Sequence, residues 1–204
     1  MPAGTVTRCL IAFAVAAAAA PVAIAADDPL PRIVAPKDGA SICYQRLYDA
    51  AHLRRNPRQQ TTAALLSFKY EGADGGHIER IILTRRDRQP VLYIAGSCVW
   101  SETANIDTSG RRMIRSFVKN AGYGCIALTG PGSAEEGGVL MIDLAADGKA
   151  LTLHLDSPIY AMRGEDKRGV GEYVKLGLED RVFRLTRTDA AACRALEENL
   201  PDLP

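Results

Sequence analysis

From residue 61 to residue 187 the chain repeatedly alternates apolar and polar side chains with a period of two. Alternation of this kind is typical of β-strands that bury one face and expose the other, the usual arrangement in antiparallel sheets. We therefore expect a mainly β domain, an antiparallel sandwich or a closed barrel of roughly nine strands with a short C-terminal helix. The apolar faces are Ala64/Leu66/Phe68/Tyr70, Leu92/Ile94/Cys98/Trp100, Leu140/Ile142/Leu144, Leu151/Leu153/Leu155, Val174/Leu176/Leu178 and Phe183/Leu185.

The connections between these runs are short and rich in turn-forming residues. Asp147 and Gly148 separate two alternating runs, and an Asp-Gly pair supplies the positive φ angles of a tight hairpin. Glu179 and Asp180 separate the next two runs by an equally short connection. We therefore expect a hairpin at each of these two sites.

Helical patterns are few. Asp189 can cap a helix running to about Leu200, in which Cys193 lies on the apolar face. Asp49 can start a single helical turn before Pro57. Residues 110–120 fit either a helix or a strand, and we favour a helix.

The N-terminal 25 residues have the organisation of a secretory signal peptide. A basic residue, Arg8, precedes an apolar run over 10–20, and the triplet at 23–25 has the A-x-A form of a cleavage site. The apolar run is shorter than the ~20 residues of a membrane-spanning helix. We expect cleavage after Ala25, or alternatively after Ala26, and export to the periplasm or the extracellular space.

Removing the signal peptide leaves one predicted domain. Residues 26–40 contain three prolines and no periodic pattern, which predicts an extended entry segment, and 41–204 are expected to form a single disulfide-stapled β domain. Arg8 is the only charged side chain in 1–25, so the mature chain keeps all 24 acidic residues and 24 of the 25 basic ones. This balance argues against a nucleic-acid partner, since nucleic-acid binders normally carry a basic excess. No later apolar stretch is long enough for a transmembrane segment.

Four cysteines remain in the mature chain, which in an exported protein indicates two disulfides. Three pairings are open in principle. We expect Cys98 with Cys125, because both lie on apolar strand faces, and this leaves Cys43 to pair with Cys193 of the terminal helix.

No sequence pattern indicates catalysis, a metal site or a cofactor. Neither Ser97 nor Ser133 lies in a GxSxG motif, and the histidines do not form an HExxH motif. His154, Asp156 and Ser157 are close in sequence, but a catalytic triad is defined by geometry in space. We therefore expect no catalytic residue, no metal and no cofactor.

The segment from Cys43 to Leu53 is the most distinctive of the chain. It resembles a CYxRxYDxxHL pattern found near the N-terminus of small exported bacterial proteins of unknown function, which implies an exported β domain and no catalytic residue. By strand alternation Tyr44, Arg46 and Tyr48 share one face. With His52 they are the candidate binding residues; the alternative is a structural row that supports the short helix.

In architecture the chain is also similar to periplasmic lysozyme inhibitors, exported β proteins of this size that carry disulfides. The functional expectation is a non-enzymatic binding module of the cell envelope that recognises a protein or a glycan. One alternative is a hydrolytic enzyme whose site is assembled only in three dimensions, with His52, Asp49 and Arg46 as the best titratable cluster. Another is a β-barrel carrier of a small apolar ligand.

Overall fold

A computed structural model describes residues 28–71, 76–86, 90–101, 122–129, 136–163 and 171–197. The expected signal peptide and the expected helix over 110–120 lie outside these described residues. So do the loops at 72–75 and 164–170.

Ten β-strands and three short α-helices make up the described part of the chain. The strands are β1 (Ser41–Leu47), β2 (Thr61–Glu71), β3 (Gly76–Arg85), β4 (Leu92–Ser101), β5 (Gly122–Leu128), β6 (Glu136–Leu144), β7 (Ala150–Leu155), β8 (Ile159–Arg163), β9 (Gly171–Val174) and β10 (Val182–Thr188). The helices are α1 (Leu30–Ile33), α2 (Ala50–Arg55) and α3 (Ala190–Glu197), and a 3₁₀ helix spans Leu178–Asp180. None of the helices in the described ranges has the length and apolar character needed to cross a membrane.

Eight of the strands form a closed antiparallel barrel. They follow the order β3-β2-β1-β10-β7-β6-β5-β4, and pairing of β3 with β4 closes the circle. Closure gives every barrel strand a hydrogen-bonding neighbour on both sides. The expected mainly β fold is confirmed, and of the two architectures considered the structure is the barrel.

The two remaining strands, β8 and β9, form a hairpin that pairs with the start of β4. Ile159 of β8 and Val174 of β9 belong to the same buried cluster as the barrel interior. The hairpin expected at Glu179 and Asp180 is wrong, because β10 pairs with β7 and β1 while β9 pairs with β8. Leu178, expected on a buried face, is 80% exposed.

The barrel interior is built from the inward-facing side chains of all eight strands. The faces expected on β2, β6, β7 and β10 are buried as predicted, apart from the partly buried Tyr70. The largest fully buried side chains include Tyr44, Phe68 and Phe183. Burial of so many large apolar groups is the main favourable term in the stability of such a domain.

The entry segment closes one end of the barrel, which we call the plugged end. This segment was expected to be extended, but it contains the helical turn α1, and Leu30 and Val34 are buried in the main core. The Leu30 backbone N–H donates to the Asp28 carboxylate and to the Tyr123 hydroxyl. Burial of apolar side chains between the prolines therefore outweighs the extended preference of the proline-rich sequence.

The predicted β6–β7 hairpin lies at the same end. Gly148 has a φ of 65°, and a Cβ at this position would lie 2.7 Å from Cδ1 of Ile33. The positive φ favours glycine here, and a larger residue would also make the Ile33 side chain of the plug shift.

A second, smaller apolar cluster lies outside the barrel beneath α3. It contains Cys43, Leu65, Ile82, Tyr93, Met162 and Cys193. Cys193 is disulfide-bonded to Cys43, with Cα atoms 5.8 Å apart, so α3 is covalently attached to the outer face of β1. Cys98 is bonded to Cys125 across β4 and β5, so both expected pairs are present.

Replacing Cys43 and Cys193 together by serine should lower the free energy of unfolding by about 2–5 kcal/mol. The reason is that their disulfide closes a loop of 150 residues and holds α3 over the outer cluster. Guanidinium unfolding of the oxidised proteins measures the difference. A stability equal to that of the unsubstituted protein would show that α3 is held by packing alone.

Candidate functional site

Both ends of α2 are fixed at the end of the barrel opposite the plug, which we call the rim. The Asp49 side chain caps the helix by accepting a 2.6 Å hydrogen bond from the His52 backbone N–H, as the sequence predicted. This bond is the main cause of the lowered pKa of Asp49. At the other end, Arg86 donates to the carbonyl oxygens of Leu53 and Asn56. The helix is therefore a rigid support for the side chains around it.

Arg46, Tyr48 and His52 form a stack at this rim. The Arg46 guanidinium carbon lies 5.1 Å from the centre of the Tyr48 ring, within the range of a cation–π contact. The His52 ring centroid is 4.6 Å from that of Tyr48, at an interplanar angle of 31°. Burial raises the pKa of Tyr48 and Arg46 partly opposes this, so the phenol stays protonated at neutral pH. We call these three residues the rim stack.

Gln59 orients the imidazole of His52. The Gln59 side-chain amide donates to the Thr61 carbonyl oxygen at 2.8 Å, which leaves its Oε1 facing His52. Nε2 of His52 lies 2.9 Å from that oxygen and must therefore carry the proton that it donates. The ring is held in one orientation beside Tyr48.

Asp180 joins the 3₁₀ helix to the segment that follows α2. Its carboxylate is buried and accepts hydrogen bonds from the backbone N–H groups of Gln60 and Thr61, at 2.9 and 2.7 Å. The neighbouring Glu179 pairs with Arg58 at 3.0 Å. These long-range contacts are the physical reason why Glu179 and Asp180 form no hairpin turn.

Positive charge surrounds the rim stack. Arg46, Arg54 and Arg55 are exposed. Carboxylates lie nearby as well. Asp49 caps α2, and its pKa is lowered first by the His52 N–H bond and to a smaller degree by Arg55, while Asp180 accepts buried backbone N–H groups. This end of the barrel thus presents exposed guanidinium groups beside a few carboxylates.

Tyr44 does not belong to this surface. It shares the strand face of Arg46, but it lies deeper in the barrel and is fully buried. Its hydroxyl donates to the Gly148 carbonyl oxygen at 2.8 Å, and burial raises its pKa to about 12. Of the four candidate binding residues, the structure brings Arg46, Tyr48 and His52 together and assigns Tyr44 to the core.

The rim does not arrange His52 and Asp49 as a proton-transfer pair. A general base must reach the proton it abstracts, and the side chain of Asp49 is bonded to the backbone of His52 rather than to its ring. Nε2 of His52 is bonded to a neutral amide. In the described structure His52 and Asp49 therefore share no side-chain to side-chain hydrogen bond.

A second candidate site lies around Glu79, which the sequence analysis did not single out. Glu79 lies on the inward face of β3 and is 0% exposed, opposite Phe68 of β2 and Gly96 of β4. Neither carboxylate oxygen has a hydrogen-bond partner among the described residues. Burial raises the pKa of Glu79 well above its usual range, opposed only by its own backbone N–H. The sequence offers one sign of this burial, because Glu79 alternates in step with Ile81 and Leu83 and so lies on the same strand face.

The Cys98–Cys125 disulfide lies beside this carboxyl. A carboxylate oxygen of Glu79 and the two sulfur atoms are all within 4.8 Å of one another. Thiolates bind metals, whereas the sulfurs of a disulfide carry no such charge, so in this oxidation state the group is not a metal site. Tyr123 is a further neighbour of Glu79, and its hydroxyl donates a hydrogen bond to Asp28 of the plug. Burial together with Asp28 raises the pKa of Tyr123.

Comparison with protein-family models, curated proteins and solved structures found no significant match.

Replacing Glu79 by glutamine should stabilise the protein more at pH 8 than at pH 4. The pKa of Glu79 is raised in the folded state, so the folded protein holds this proton while the unfolded chain loses it above about pH 4.3. Stability therefore falls as the pH rises from that value towards the folded pKa, and glutamine removes the effect. Urea unfolding of both proteins at the two pH values measures the difference, and a pH-independent difference would contradict it.

Proposed function

We propose that this protein is an exported, non-enzymatic binding module of the cell envelope. Its rim stack and the adjacent arginines of α2 contact an anionic group on an envelope protein or glycan. The observation that carries this proposal is the stack itself, in which the Arg46 guanidinium of β1 and the His52 ring of the capped helix α2 both lie close to the Tyr48 ring. A preorganised set of charged and aromatic side chains loses little conformational entropy when it binds.

The filled interior supports a binding module over a carrier of apolar ligands. Carriers of the barrel type hold their ligand in an interior cavity, whereas large side chains such as Phe68, Leu153 and Phe183 occupy this interior. The plug covers one end with Leu30 and Val34.

Export is supported by two independent features. Disulfides persist in oxidising compartments, and the structure contains two. The N-terminal sequence has the charged, apolar and small-residue order of a signal peptide.

The binding surface can be tested with charged polymers. Replacing Arg46, Arg54 and Arg55 together by alanine should weaken binding to dextran sulfate by about tenfold, since each exposed charge contributes roughly 0.5 kcal/mol. Fluorescence anisotropy of labelled dextran sulfate at low ionic strength measures the affinity. Polyglutamate serves as the protein-like anion, and uncharged dextran as the neutral control.

The matched control removes the same charge from the opposite end of the barrel. Arg32, Lys37 and Lys149 are exposed near the plug, and their triple alanine variant should bind as the unsubstituted protein does. Equal losses in both triple variants would mean that only net charge matters and would sink the rim proposal. Equal binding of neutral dextran would do the same.

Exported protein should begin at Ala26 or Asp27. The small residues at 23–25 follow an apolar run and form the expected cleavage site. Intact mass and N-terminal sequencing of protein recovered outside the cytoplasm measure this. Recovery of a chain that retains residues 1–20 would contradict it.

A further inference from the structure

We propose that the Cys98–Cys125 disulfide is a redox-active site inside the barrel, with the Glu79 carboxyl exchanging protons with its sulfur atoms. This inference is independent of the function proposed for the rim. It predicts that the disulfide undergoes exchange with a dithiol partner.

Strand register places the three groups together. Cys98 and Cys125 are directly opposite one another on the neighbouring strands β4 and β5, with Cα atoms 4.0 Å apart. Glu79 lies on β3, the other neighbour of β4, and its carboxylate is within 4.8 Å of both sulfurs. Three adjacent strands thus bring one carboxyl and one disulfide to the same part of the interior.

The second disulfide has different surroundings. Cys43 and Cys193 lie in the apolar cluster beneath α3, and no carboxylate of the described chain groups with their sulfurs as Glu79 does with the other pair. A purely structural disulfide needs no ionisable neighbour. The contrast within one molecule singles out Cys98–Cys125.

Burial keeps a proton on Glu79. An ionised carboxylate without a partner in an apolar interior is very costly, so the group is held in its acid form. The acid form carries a transferable proton next to the S–S bond. Thiol–disulfide exchange is faster when the leaving sulfur is a better leaving group, and protonation of that sulfur has this effect.

The reaction consumes one external dithiol and is balanced as follows. A thiolate of the dithiol attacks Sγ of Cys98, because Cys98 is the partly exposed residue of the pair and Cys125 is buried. The S–S bond breaks, its electron pair goes to the Cys125 sulfur, and the Glu79 proton is transferred to that sulfur.

The second thiol of the dithiol completes the exchange. It gives its proton to the Glu79 carboxylate and attacks the mixed disulfide, which releases Cys98 as a thiolate that takes up the proton lost by the first thiol. The dithiol leaves as its cyclic disulfide, the protein gains two electrons and two protons, and Glu79 ends protonated as it began.

The test compares the two disulfides of the same molecule. The mature protein and its Glu79→Gln variant are treated with dithiothreitol, and each disulfide is followed by alkylation and mass spectrometry. Glu79→Gln should slow reduction of Cys98–Cys125 at least tenfold, because general acid catalysis contributes about 10²-fold or more. Reduction of Cys43–Cys193 reports the general stabilisation expected of Glu79→Gln at alkaline pH, so the slowing of Cys98–Cys125 should exceed that of Cys43–Cys193 at least tenfold.

Two further measurements separate proton transfer from local packing. Glu79→Asp keeps a carboxyl and should recover part of the rate. The second measurement is the rate of Cys98–Cys125 reduction divided by the concentration of dithiothreitol thiolate. In the unsubstituted protein this quotient should fall as the pH rises through the pKa of Glu79, whereas in Glu79→Gln it should show no such fall. Among the described residues, the ionisable group in electrostatic contact with Glu79 is Tyr123 of β5, whose hydroxyl is hydrogen-bonded to Asp28 of the plug.

Three outcomes would overturn the proposal. One is equal slowing of both disulfides, which would indicate greater overall stability alone. Another is an unchanged rate for Cys98–Cys125 in Glu79→Gln. The third is an identical pH dependence in the two proteins.

Discussion

Pairing of β3 with β4 is the interaction on which the rest of the structure depends. It runs from Ile78 opposite Ser97 to Leu83 opposite Leu92 and turns an eight-stranded sheet into a barrel. Without it, β3 and β4 would be open edge strands with unpaired backbone groups, and the apolar face of the sheet would not enclose an interior. The plug and the β8–β9 hairpin then complete a core that the closed sheet has already defined.

The closed interior and the rim place opposite demands on polar side chains. Inside the barrel, the Glu79 carboxyl has no hydrogen-bond partner among the described residues, and burial favours its neutral form. Ile81, two residues further along β3, lies on the same inward face. At the rim, Arg46 follows Tyr44 on β1 by the same spacing but reaches solvent and retains its charge. Depth in the barrel thus decides whether a polar side chain is enclosed by the core or reaches solvent.

Features set by local patterns were predicted well from the sequence. Period-two alternation identified the buried faces, Asp49 and Asp189 were recognised as helix caps, and both disulfide pairs were expected. Features set by distant segments were not. The short connection at Asp180 resembles a hairpin, but hydrogen bonds to a segment about 120 residues earlier determine its course. The burial of Glu79 likewise depends on the two neighbouring strands β2 and β4, which no local window contains.

The Cys43–Cys193 bond also changes the connectivity of the polypeptide. It joins β1 to α3 and converts the 150-residue stretch between them into a covalent ring, while the plug lies outside that ring. A single proteolytic cut within that ring would open it without releasing a fragment, and the barrel pairings would continue to hold both new ends. Cohesion of the chain after such a cut thus follows from where one sulfur–sulfur bond lies along the polypeptide.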